Sequence, residues 1–167
     1  TQDTFSQSFP GGFLVEDTGK QFKGNEGKNL TEGTGLMQRL STHEKTVSIQ
    51  QAVGSEVNLA WYQKNGDAKV TINLENEADG KKGNMIQNAD GTYGRPVQIG
   101  LGHELKHAEN YMDGTQDNTA VNVVNPDKNT NPEKNSQGKV VTTEMDEVNV
   151  RNFENKLREE QGVVPRA

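Results

Sequence analysis

Residues 103–107 read His-Glu-Leu-Lys-His, and this spacing commits the middle of the chain to a helix. Side chains four apart on a helix share a face, about one turn from each other. His103 and His107 can therefore close on a single ion only if the segment is helical. Two imidazoles so placed suit zinc, and Glu104 between them reaches a water on that ion. Such a set is equipped for metal-assisted hydrolysis of an amide bond.

The flanking residues support the helix. Pro96 suits a first helical turn. Val97, Leu101, Leu105, Ala108 and Met112 then form an apolar stripe, with Gly100, His103 and His107 on a neighbouring face. The stripe is expected to pack on a sheet while the histidines look into a cleft. Gly100 and Gly102 are poor helix formers, which points to close packing against a strand.

Upstream, three segments alternate apolar and polar residues, the period of half-buried strands. Val47 and Ile49 mark the first, Val57, Leu59 and Trp61 the second, and Val70, Ile72 and Leu74 the third. Asn65-Gly66 between the last two is a hairpin signal, so the expectation is an antiparallel sheet with one wet face. Trp61 and Tyr62 read as sheet core. Leu36, Met37 and Leu40 predict a short helix over residues 34–43. Residues 1–33 read as a loop-rich arm, with Phe5, Phe9, Phe13 and Phe22 available to pin it. The polar stretches 76–95 and 113–139 read as loops, with a short strand at Val121, Val123 and Val124. A last helix is expected from about Thr143, capped by Thr143 with Asp146. Gly162 and Pro165 end it.

Composition narrows the partners. The 167 residues suit one domain with a modest core, being 29% hydrophobic and 25% charged. A net charge of −6 argues against nucleic acid, which needs clustered Lys and Arg. No apolar run approaches the roughly 18–20 residues of a membrane span. With no cysteine, zinc must be held by histidine and carboxylate. The chain starts at Thr1 with neither Met nor signal peptide, and reads as a domain of something longer.

A catalytic zinc takes three protein ligands and keeps a position for water. His43 is the only other histidine, so the carboxylates of the last helix are better placed: Glu144, Asp146, Glu147 and Glu154. For Glu144 and Glu147 a solvated helix start, where acids suit the macrodipole, is the competing account. Glu104 would be the general base. Arg158, Arg151 or Tyr111 could steady the developing oxyanion.

The string DEVNVRNFENKLREEQGVVPR, residues 146–166, resembles the closing segment of NleD-like effector zinc peptidases. That family comprises type III secretion effectors and peptidase domains at the ends of Rhs and other polymorphic toxins. Its HELxHA helix matches residues 103–108. Its later block matches Asp146-Glu147, Glu154-Asn155, Arg158, Gly162 and Arg166. The resemblance implies that His103 and His107 bind zinc, that Glu104 is the catalytic acid/base, and that Glu147 is the third ligand with Glu144 in reserve. Glu154, Asn155 and Arg158 would then brace the ligands or line the cleft. Asp146 and Lys106 depart from the commoner family residues.

The expectation is thus a small α+β zincin of the gluzincin kind: an antiparallel sheet, the HExxH helix and a C-terminal helix supplying Glu147. Residues 34–167 would form the peptidase domain behind the arm at 1–33. The expected activity is Zn2+-dependent endopeptidase action on a protein or peptide substrate, as a toxin or effector domain that a bacterium secretes or delivers into a target cell within a longer protein. A cognate immunity protein is an expected partner. The alternatives are self-processing of a parent polypeptide and a binding module with a vestigial motif.

Overall fold

Every second residue of β5 (Ala68–Ile72) is buried, and this strand lies inside the main sheet. The computed structural model describes residues 5–9, 12–15, 27–54, 56–74, 86–123 and 134–167, with backbone alone for the first two stretches. The main sheet has the order β1-β2-β3-β5-β4, with β1 Phe5–Phe9, β2 Gly12–Val15, β3 Val47–Gln51 and β4 Leu59–Tyr62. A second sheet pairs β6 (Ala120–Asn122) with β7 (Thr142–Glu144). Three helices complete a small α+β fold among the described residues: α1 Thr31–Ser41, α2 Val97–Met112 and α3 Met145–Gln161.

The sheet is mixed, which corrects the antiparallel expectation. β3 and β5 run parallel, with Val47 opposite Ala68 and Gln51 opposite Ile72. The reason lies in burial. In β4 only Ala60 is buried, so β4 takes the edge, while β5 fills the place beside β3. The hairpin is as expected: Gln63 N–H donates to Asp67 O at 2.9 Å, and Gly66 has φ 89°. Yet β4 presents the opposite face from the one its apolar pattern predicts. Ala60 points inward, whereas Val57, Leu59 and Trp61 are exposed, a consequence of strict side-chain alternation. Small Ala60 and Ala68 let α2 lie close over β4 and β5.

β1 and β2 fall in the stretch read as a loop-rich arm; β2 pairs with β3 through Phe13 opposite Ile49. The aromatic pins proposed there, like Val124 and much of both polar loops, lie outside the described side chains. The core joins Leu36 and Leu40 of α1, Ile49, Val70 and Ile72 of the sheet, Ile99, Leu105 and Ala108 of α2, and Phe153 and Leu157 of α3. α1 carries no cap of its own. Its first amides at Glu32 and Gly33 instead donate to the Glu160 carboxylate at 2.7 and 2.9 Å, tying α1 to the end of α3. No helix among the described residues is long and apolar enough to cross a membrane.

Candidate metal centre

α2 and α3 pack with the motif residues facing each other, and a glycine sets their separation. A Cβ on Gly102 would come 2.5 Å from Leu157 Cδ1. The close neighbour that requires this glycine is therefore α3, not the strand expected from sequence. At the meeting of the helices His103 Nε2 and His107 Nε2 are 3.2 Å apart. Glu147 Oε2 lies 3.0 Å from His107 Nε2 and 3.4 Å from His103 Nε2. These residues form the metal-capable group among the described residues. Bonds of about 2.0–2.1 Å to a tetrahedral ion give ligand–ligand edges of about 3.3 Å, and the observed triangle fits them.

The second nitrogen of each ring also faces a carboxylate. His107 Nδ1 is 2.6 Å from Asp146 Oδ2, whose Oδ1 accepts from Asn110 Nδ2 at 2.7 Å. His103 Nδ1 is 2.9 Å from Glu154 Oε2, although the angle rather than the distance falls short of a hydrogen bond. A carboxylate behind each imidazole fixes ring orientation and strengthens it as a donor to metal. Glu147 is held too: its Oε1 accepts from Arg151 Nε at 2.7 Å, leaving Oε2 for the histidines.

This charge pattern biases the protonation states. Burial alone would lower both histidine pKa values, but Glu147, with Glu154 for His103 and Asp146 for His107, carries them above the ordinary value. Burial would raise Glu147, yet both histidines and Arg151 hold it well below the usual carboxylate range. Glu154, against the same burial, is drawn to about 2 by His103, Arg95 and Arg166. Glu104 goes the other way: burial raises it, only partly countered by His103, His107 and Arg95.

His103, Glu104, His107 and Glu147 share a cleft of about 530 Å³ with Tyr62, Glu144 and Arg151. Tyr62, read from sequence as core, stacks on Tyr111 with ring centroids 4.1 Å apart. Its phenol is pushed up to about 12 by burial and by the charges of Asp146 and Glu104, so it stays protonated. Glu144 is exposed at the rim and outside the donor cluster.

Other expected residues lie elsewhere. Arg158 does not line the cleft. It sits one turn beyond Glu154 on the buried face of α3 and is fully enclosed. Its Nε donates to Glu154 at 2.8 Å, and Nη1 donates to Asn88 and to the Val164 carbonyl. That enclosure corrects its assignment as a group meeting substrate. Asn155 grips the backbone of Arg166. The Tyr111 hydroxyl donates to Gln63 O, and His43 pairs with Asp113 at 3.0 Å, away from the centre. The expected cap on α3 is absent: Thr143 pairs with Val121 in β7, and the Asp146 side chain turns to His107.

Sequence reasoning missed Asp146 as the support of His107, and it missed Arg95, whose Nη1 is 3.3 Å from Glu154. The acidic pair 146–147 was the available signal for the first. For Arg95, in a polar glycine-rich loop, there was none.

Comparison with curated proteins and with solved structures finds no match. One family model, Peptidase_M91, described as an effector protein, matches residues 25–167 and so takes in α1, the strands β3 to β7, and both helices of the centre. It agrees with the resemblance carried by residues 103–108 and 146–166, and the chain belongs to this effector peptidase family.

Proposed function

We propose that the chain is a zinc-dependent endopeptidase of the zincin type, acting as a secreted bacterial effector or toxin domain. One observation carries this reading: His103 Nε2, His107 Nε2 and Glu147 Oε2 converge within 3.0–3.4 Å of one another, beside Glu104 in one open cleft. Zinc held there would supply Lewis acidity and a water acidified to a pKa of about 7.

The chain's own residues do the rest. Asp146 and Glu154 keep the two imidazoles turned so that Nε2 faces Glu147. Glu104, its carboxyl raised by burial, accepts the proton of the attacking water and returns it to the leaving amine. Tyr62, protonated and on the cleft wall, can donate to the carbonyl oxygen as charge grows there. It takes the role for which the sequence offers Arg158, Arg151 or Tyr111.

Family membership supports a protein substrate and delivery into a target cell; a cognate immunity protein belongs to the toxin form of the proposal. Cleavage-site profiling of a target-cell lysate, wild type against Glu104→Gln, tests the activity. New termini with the wild type alone support it. Identical profiles from both proteins, with zinc bound in each, contradict it.

A further inference from the structure

Residues 163–167 fold back over the helices and bring a guanidinium to the candidate centre. The Asn88–Arg166 bridge, Ala89 N–H donating to Pro165 O at 2.9 Å and Ala167 N–H donating to Gln87 O at 3.0 Å lay this segment along residues 87–89. Asn155 holds the backbone of Arg166 from both sides. Its Oδ1 accepts from Arg166 N at 2.7 Å, and its Nδ2 donates to Arg166 O at 3.3 Å. The side chain, 16% exposed, has Nη1 3.3 Å from Glu154 Oε2 and Nη2 3.8 Å from Glu147 Oε1.

One guanidinium thus spans the carboxylate that faces the His103–His107 pair and the carboxylate behind His103. We infer that Arg166 is a positioning residue for the metal centre, locking Glu147 and Glu154 into one arrangement. With Arg151 it draws Oε1 of Glu147 away from the histidines, so that this carboxylate offers the ion a single oxygen. Guanidinium suits the task because its planar fork serves two carboxylates at once, which the point charge of lysine does not. Asn155 then acts through Arg166, which explains an asparagine whose side-chain hydrogen bonds, among the described residues, go to the returning backbone.

The inference rests on the zinc reading above, and the experiment separates the two. Zinc affinity by chelator competition and the visible spectrum of the cobalt(II)-loaded protein are measured for wild type, Arg166→Gln, Arg166→Lys and Asn155→Ala. Arg166→Gln is expected to weaken zinc by about 10–100-fold, the usual cost of losing an outer-shell partner, and to alter the cobalt bands. Arg166→Lys should recover part of the loss. Asn155→Ala should shift both readings in the same direction, and adding it to Arg166→Gln should cost less than the sum, as coupled residues do. Should Arg166→Gln fail to fold, Asn155→Ala and Arg166→Lys decide. Wild-type zinc affinity within about twofold and unchanged cobalt bands in the folded variants overturn the inference alone. A wild type that takes up no zinc overturns the proposed function and this inference with it.

Discussion

Asp146 and Glu147 are neighbours on α3 and reach opposite nitrogens of one imidazole. Asp146 Oδ2 is 2.6 Å from His107 Nδ1, and Glu147 Oε2 is 3.0 Å from His107 Nε2. One turn of helix thereby supplies both a carboxylate of the candidate metal-binding group and the carboxylate that backs one of its imidazoles.

Asp146→Ala should therefore act on metal and fold together. The buried Asn110 amide and His107 Nδ1 lose their acceptor, at a cost of about 1–3 kcal/mol. Zinc affinity should fall by about 10–100-fold. Chemical denaturation of the metal-free protein and chelator competition measure the two effects separately.

The ligand assignment separates two acids three residues apart. His103→Ala and His107→Ala should each lose zinc on gentle dialysis, while Glu144→Ala, at the exposed rim, should keep it. Zinc retained without either histidine, or lost with Glu144, would show the donor set to be wrong. Metal analysis after gel filtration reads the result.

The metal-free protein should have a stability maximum in mild acid. Raised His103 and His107 contribute stability that is complete below the unfolded histidine value of about 6.5 and lost as pH rises through the folded one. Lowered Glu147 and Glu154 contribute stability present above the unfolded value of about 4.3 and lost as pH falls. The melting temperature should thus peak between about pH 4.3 and 6.5. Zinc competes with protons for the same nitrogens, so its addition should move the maximum upward. Scanning fluorimetry across pH, with and without zinc, checks both the peak and its shift.

Gly102→Ala tests the contact between α2 and α3. Its methyl would meet Leu157 Cδ1 at 2.5 Å, and overpacking of this kind costs about 1–3 kcal/mol. An unchanged denaturation midpoint would mean that the helices have room that the structure does not show.

The half of the site on α2 was legible because four-residue spacing on a helix is local geometry. The α3 half was legible only as a set of acids, and resemblance rather than spacing singled out Glu147. Which acid backs which imidazole depends on how α2 and α3 meet, and that rests on contacts between residues far apart in sequence, the close approach of Leu157 to Gly102 among them. Arg158 misled for the same reason: a cation on the acidic helix looks free to steady an oxyanion until its buried partners, Glu154, Asn88 and the Val164 carbonyl, are known. In the sheet, alternation revealed the strands. It could not reveal that β5 would enter between β3 and β4, because strand order is set by burial across the whole layer.

The zinc content of purified wild type and Glu147→Ala, by mass spectrometry after supplementation and gel filtration, tests the central claim most directly. A centre of His103, His107 and Glu147 predicts about one zinc per wild-type chain and less than about a tenth of that in the variant. Stoichiometric zinc in Glu147→Ala, or a wild type that holds none, would contradict it.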